Sequence, residues 1–272
     1  MAAAPSPLSN RIRVGTSGYS YPEWVAAGVY PAGTKAADML AIYARQFAAT
    51  ELNFTWYQMP KAPVVERMRG LAPEGFRFTA KLTRTLTHEV DPSAWRGQAA
   101  LYRDGVTPIV QSGQLSAVLL QFPPAFTRSP GARRYLSELL DELQGLPLAI
   151  EFRHRSWAHD RVFAELERRR ACLVAVDAPA LPDLFPRLDV VTHPELFYVR
   201  FHGRNDRGWR SGNQQAQFDY DYRDAELREW TDGPLRRMAA QAASGVVFFN
   251  NHVRGQAPRN ATQLSRLLAA AS

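Results

Sequence analysis

Short apolar runs alternate along the chain with longer stretches of helical spacing. The β-type runs are IRVGTSG (12–18), TELNFTWY (50–57), FRFTAKLT (76–83), SAVLLQFP (116–123), LAIEFR within 147–153, CLVAVD (172–177), LFYVRFHG (196–203) and GVVFFNN (245–251). Between them, apolar residues recur every three to four positions over about 35–48, 61–71, part of 84–114, 131–144, 158–170, 222–243 and 260–270. Period two marks strands and period 3.6 marks helices, and their alternation points to parallel βαβ units. Eight such units in ~260 residues is the complement of a single (β/α)8 TIM barrel. A doubly wound open sheet would carry a Gly-rich phosphate loop after its first strand. VGTSGYSY lacks the GxGxxG spacing, and no helix starts there. One unit departs from the rhythm: APALPDLFPRLDVVTHPE has four prolines and no helical pattern, so an irregular crossover is predicted between strands 6 and 7. The reading is one barrel domain over 12–270 behind a disordered lead over 1–11.

In a barrel strand, alternate side chains point into the barrel and out toward the helices. Assigning the more apolar parity to the helix layer leaves Glu51, Asn53, Thr55 and Tyr57 inside on the second strand, and Thr79 and Lys81 on the third. It leaves Gln121 on the fourth, Glu151 and Arg153 on the fifth, Asp177 on the sixth, and Tyr198, Arg200 and His202 on the seventh. The eighth ends in Asn250 and Asn251, with ambiguous parity. A purely structural barrel fills its interior with branched apolar side chains, and a buried charge costs several kcal/mol. The polar set gathers toward the strands' C-terminal ends, where barrel active sites lie. His88, His154, His202 and His252 also fall at or just after strand ends; His159 and His193 read as surface residues. The competing explanation is a structural lattice in which Glu51 and Glu151 pair with Arg153 and Arg200.

Composition narrows the partners less than it first suggests. The formal charge is +7 and the sequence pI about 9.8, which raises a nucleic-acid partner as an alternative. HGRNDRGWRSGNQ (202–214), with three arginines, an aromatic and flexible glycines, supports it. Yet Lys35, Lys61 and Lys81 are the only lysines, and the arginines are scattered. The lone Cys172 lies in an apolar run and excludes an internal disulfide. No signal-peptide pattern opens the chain, and no apolar run approaches the ~18 residues of a membrane span. The expectation is a cytoplasmic protein.

Several stretches together resemble one family. GTSGYSYPEW, YARQFAATELNFTWY, FRFTAKLTRTLTHE, LLQFPPAF, AIEFRHRSW, YVRFHGR and FFNNHVRGQAPRNA are similar, in order and over about 12–268, to the YecE-like family, also called the domain of unknown function 72. The resemblance implies a TIM barrel and no established activity. The family's motif residues map onto Gly15, Thr16, Ser17, Glu51, Asn53, Tyr57, Lys81, Thr87, His88, Gln121, Glu151, Arg153, Trp157, Asp177, Arg200, His202, Gly203, Asn250 and Asn251. NFTWY departs from the family's Thr-Phe-Tyr; Trp56 is expected to point outward, clear of the site.

The chemistry this set permits is acid–base work on a small polar or anionic molecule, as a hydrolase, lyase or isomerase. Glu151 beside Arg153 and Arg200 should stay ionised and act as general base, with His202 or Lys81 as acid or electrostatic partner; Asp177 completes the candidate catalytic set. Arg153 and Arg200 suit a carboxylate or phosphate. Tyr57 and Trp157 offer flat surfaces, and Thr16, Ser17, Glu51, Asn53, His88, Gln121, Asn250 and Asn251 complete the candidate binding set. No cofactor is expected. A divalent metal is a lesser alternative: Glu51, Glu151, Asp177, His202 and His252 include suitable ligand types, but no HxH or HExxH spacing is present. A non-catalytic metabolite-binding barrel is the remaining alternative.

Overall fold

A computed structural model describes residues 7–271. Eight parallel strands close into one barrel in sequence order: β1 (Ile12–Ser17), β2 (Ala49–Leu52), β3 (Arg77–Lys81), β4 (Leu115–Gln121), β5 (Leu148–Glu151), β6 (Cys172–Asp177), β7 (Leu196–Phe201) and β8 (Ser244–Phe249). Helices Ala36–Tyr43, Ala62–Gly70, Trp95–Gln111, Pro130–Glu142, Asp160–Arg168 and Gln256–Ala270 cover the outside. The connection from β6 to β7 contains no helix, as its prolines require. Of the lead expected to be disordered, residues 1–6 lie outside the described residues. Leu8–Arg11 is instead a helical turn, held because the Arg11 guanidinium donates to the carbonyls of Ala239, Ala242 and Ala243.

The strand register fixes which side chains face inward. Glu51 pairs with Ser17 and with Thr79, Lys81 with Leu119, Gln121 with Glu151, and Val174 with Tyr198. Arg200 pairs with Val176 and with Phe248. Paired residues in parallel strands share a face, so these line the interior. Gly15 belongs to the same face, where the chain passes so close to β2 that a Cβ would lie 2.0 Å from the Ala49 carbonyl oxygen.

Four expectations change. On β6 the interior parity is Val174 and Val176, while Asp177 pairs with Phe201 and faces the helices. Both faces of this strand are buried and apolar, so hydrophobicity alone could not choose between them. The second strand stops at Leu52. Phe54–Tyr57 is a helical turn rather than strand, which voids the parity reading for Asn53, Thr55 and Tyr57. Segment 202–214 is not a flexible loop but carries two short helices, Asp206–Arg210 and Gln214–Phe218, N-capped by the side chains of Asn205 and Asn213. The helix expected over 222–243 is two, Asp224–Asp232 and Pro234–Gln241, broken at Gly233–Pro234.

Candidate functional site

The barrel interior near the C-terminal strand ends is built around Arg200. Its Nη2 donates to Glu51 Oε1 at 2.6 Å and its Nε to Glu51 Oε2 at 2.9 Å, a two-pronged grip. Its Nη1 donates to Glu151 Oε2 at 2.6 Å, and Nη2 also reaches Ser17 Oγ at 3.3 Å. Tyr198 OH donates to Glu51 Oε2 at 2.5 Å. On the other oxygen of Glu151 stands Arg153, with Nε 2.5 Å away but out of line for a hydrogen bond, and His202 Nε2 at 3.2 Å. Glu51, Glu151, Arg200 and His202 are completely or almost completely buried.

This lattice sets its own protonation. Burial alone would raise Glu151, but Arg153, Arg200 and His202 outweigh it and hold the carboxyl well below its usual range. Burial, then Arg153, pushes His202 down to about 3, so its ring is neutral at pH 7. Asn250 Nδ2 stands 3.1 Å from His202 Nδ1, which assigns Nδ1 as acceptor and Nε2–H as donor to Glu151. Two carboxylates against two guanidiniums leave the lattice neutral.

Lys81 is different. Its backbone carbonyl is pinned at the end of β3 by Thr55 Oγ1 at 2.6 Å and Tyr102 OH at 3.2 Å. Its Nζ lies 4.9 Å from the ring centre of Trp56, and no acceptor stands within hydrogen-bond reach of it among the described residues. The side chain is half-buried. Burial, then Arg200, pushes the amine down to about 7, against the opposing pull of Glu51 and Glu151. His88 shares the same Trp56 face-to-edge at 5.0 Å; burial, then Lys81, lowers it to about 4, and Thr87 Oγ1 holds its Nδ1 at 2.9 Å.

Aromatic residues surround this end of the barrel. Trp209, from the first short helix after β7, meets His202 edge-on at 6.3 Å and lies under Arg153, whose guanidinium carbon is 5.5 Å from the indole centre. Phe218, from the second, packs against His202 and His252, and Tyr21 stacks on His252 at 4.8 Å. Buried polar atoms here stand without a hydrogen-bond partner: Asn53 Oδ1, Arg153 Nε, Trp209 Nε1 and His252 Nδ1.

Of the sequence-predicted residues, Ser17, Glu51, Lys81, Gln121, Glu151, Arg153, Arg200, His202 and Asn250 share the interior, and Asn53 and His88 join them at the rim. Gln121 spends its amide on the Phe122 carbonyl at 2.8 Å. Asp177 does not join: its carboxylate receives Arg204, Tyr222 at 2.7 Å and Trp230 at 2.7 Å, all outside the barrel. Thr16 faces out to Tyr43, with Oγ1 and backbone N both 2.8 Å from its hydroxyl. Asn251 is tied to Tyr220 O and Asn260 Oδ1. Trp157 lies inside a stack with Phe152 and Phe126 and donates to the Phe126 carbonyl. Tyr57 is 63% exposed on the rim turn. Trp56, expected outside, sits beneath Lys81; its turn conformation, not its parity, places it there. Phe218 was missed outright, and Trp209 was noted only for a nucleic-acid surface. In that segment Arg204 is committed to Asp177 and Arg210 to Asp206. Among the described residues, no three His, Cys, Asp or Glu side chains gather as a metal set, and Arg200 stands between Glu51 and Glu151. No described helix is long and apolar enough to cross a membrane.

Comparison with known proteins places this geometry in a family. The model described as "Protein of unknown function DUF72" matches residues 13–272. The UPF0759 protein YunF of Bacillus subtilis is 27% identical over 254 residues, covering 88% of this chain and 90% of that protein. The UPF0759 protein YecE of Escherichia coli is 29% identical over 144 residues, 53% of this chain and 48% of that one. Among solved structures, a DUF72 family protein from Thermotoga maritima superposes with a TM-score of 0.85 at 32% identity, over 95% of this chain and 99% of that one. One from Enterococcus faecalis gives 0.86 at 26% identity, over 95% of both.

Proposed function

This chain belongs to the DUF72 family, whose description assigns no function, and from its interior we propose that it is an enzyme carrying out acid–base chemistry on a small polar or anionic molecule at the C-terminal mouth of the barrel. The observation that carries the reading is Lys81. It is a half-buried amine pushed down to about 7, at the C-terminal end of β3, with no internal hydrogen-bond partner among the described residues, beside carboxylates that are all committed to internal donors. A group that titrates near neutral pH is suited to proton transfer in both directions.

The roles follow from what each side chain has left to give. Glu151, the residue expected as general base, faces the guanidiniums of Arg200 and Arg153 and the neutral ring of His202; it orients those groups instead. Lys81 takes and returns the proton. Arg153 presents a charged, partly accessible guanidinium to an anion, and Trp209 supports it from below. Protonated Lys81 gives the neutral lattice a net positive charge, which favours an anionic ligand. The buried free thiol of Cys172 fits work in the cytoplasm.

The test is a thermal-shift and calorimetric screen of the full chain against small carboxylates, sugar phosphates and free phosphate, repeated with Lys81→Met and Glu151→Gln. At least one anion is expected to bind the native chain, with affinity reduced ~10-fold or more by Lys81→Met while the fold persists. Equal binding by native and Lys81→Met proteins, or no binding by any anion, would contradict the proposal.

A further inference from the structure

We infer that the cavity between the helices Pro130–Glu142 and Asp160–Arg168 is a second binding site, one that takes a phosphate monoester with a small apolar body. It lies in the helix layer, and it does not depend on the acid–base reading of the barrel interior. The two helices follow β4 and β5 and enclose a space of about 260 Å3. Leu136, Leu140, Val162 and Leu166 give it an apolar floor, and Arg128, Arg133 and Arg161 also line it.

Charge around this cavity does not cancel. Arg168 and Arg169 are matched by Glu165 and Asp141. Arg128, Arg133 and Arg161 have no ion pair and no side-chain hydrogen bond among the described residues. Three uncompensated guanidiniums therefore share one small space. Arg133 and Arg161 are exposed, but Arg128 is half-buried and its Nε is shut off from water with no acceptor. A buried cationic donor left unpaired is destabilising, and an anion in the cavity supplies the missing acceptor. The position of Arg128 is fixed, because its backbone N–H donates to Ser156 Oγ at 2.9 Å and ties the loop after β4 to the loop after β5. The helix starts are already capped: Ala132 N donates to Ser129 Oγ and Arg161 N to His159 Nδ1, both at 3.1 Å. The arginines, not the helix termini, define the site.

The shape and charge select the ligand class. A guanidinium offers paired donors, and three of them suit a doubly charged group with three equivalent oxygens better than a lone carboxylate. Glu165, on the same lining, already accepts from Arg168 and Arg169, so its charge is matched. The aliphatic floor takes the body of the ligand. At ~30 Å3 per water the space equals roughly nine waters, which limits that body to one ring or a short chain. Trp157 lines the cavity and stacks on Phe152 at 4.5 Å, and the chain neighbours of Phe152 are Glu151 and Arg153. The two sites are thus one aromatic stack apart, and Lys81, Glu151 and Arg200 take no part in this lining.

The test is calorimetric titration of the full-length protein with phenyl phosphate and with inorganic phosphate. It compares the native chain, Arg128→Met, the double variant Arg133→Met/Arg161→Met, and Lys81→Met. Phenyl phosphate is expected to bind the native chain at least ~10-fold tighter than inorganic phosphate, because the floor buries its ring. Arg128→Met and the double variant should each weaken it ~10-fold or more, and Lys81→Met should leave it unchanged. The double variant alters two exposed side chains, so its fold is expected to persist even if Arg128→Met disturbs the loop. No binding of phenyl phosphate, or binding that neither arginine variant weakens, overturns the proposal. Equal affinity for inorganic phosphate overturns the monoester class, since the apolar floor would then contribute nothing. Binding lost in Lys81→Met but kept in the arginine variants places the anion at the barrel mouth; this inference then fails while the acid–base reading stands.

Discussion

Arg200 shows how one residue can be structurally indispensable and chemically silent. It satisfies two buried carboxylates at once, and removing one member of a buried ion pair strands the others. Arg200→Met should therefore lower stability by about 3–5 kcal/mol, read by urea unfolding, or prevent folding altogether. Lys81→Met should behave in the opposite way. In the unfolded chain this amine is protonated at pH 7, whereas in the fold it is held near 7, so its presence costs stability. Trp56 and partial exposure soften that cost, and a gain of about 1–2 kcal/mol at pH 7 is expected for the variant. A loss of stability would show that Lys81 is a packing residue. At this scale the sequence was informative: burying charge is expensive, so Glu51, Lys81, Glu151, Arg153 and Arg200, read on four different strands, announced a common interior. It could not say which of them were already satisfied. That depends on which oxygen each guanidinium reaches, and Arg200 pairs with both Glu51 and Glu151 as the lattice explanation expects.

Among elements, β6 and β2 mark where pattern reading fails. Parity needs contrast between the two faces, and CLVAVD has apolar residues on both; Asp177 therefore went to the wrong side of the sheet. TELNFTWY kept strand composition past Leu52, but its second half curls into a helical turn. That turn brings Trp56 under Lys81, a placement no periodicity encodes. Trp209 and Phe218 escaped for a related reason: the two short helices after β7 are set by Asn caps within a stretch that reads as a loop. The barrel itself was legible because eight strands of similar length recur at regular intervals. The β1–β2 contact offers an element-level check. Gly15→Ala would drive a methyl group onto the Ala49 carbonyl, and overpacking of this kind costs ~1–3 kcal/mol. Denaturant unfolding of that variant should show the loss; a neutral effect would mean the two strands sit further apart.

For the whole molecule, the interior titrations combine into one pH dependence. Burial lowers His202 to about 3 and His88 to about 4, below the 6.5 of a free imidazole. Between those values and 6.5 the unfolded chain binds protons that the fold excludes, so the histidines cost nothing above 6.5 and lower stability as pH drops below it. For the fully buried His202 the slope is about 1.4 kcal/mol per pH unit. Lys81 adds a second rise from about 7 to 10.5, where the unfolded amine is still protonated and the folded one is not. That second rise should vanish in Lys81→Met, and melting curves across pH 4–10 would reveal both.

The charge state of one amine decides between a poised site and a salt-bridged scaffold. With three lysines in the chain, the Lys81 side-chain resonances can be assigned by comparison with Lys81→Met and followed by NMR against pH. A midpoint near 7 is the expected result. A midpoint at or above that of a free lysine, near 10.4, would mean an ordinary ammonium at the mouth of the barrel, and the site would have no group with which to exchange a proton at neutral pH.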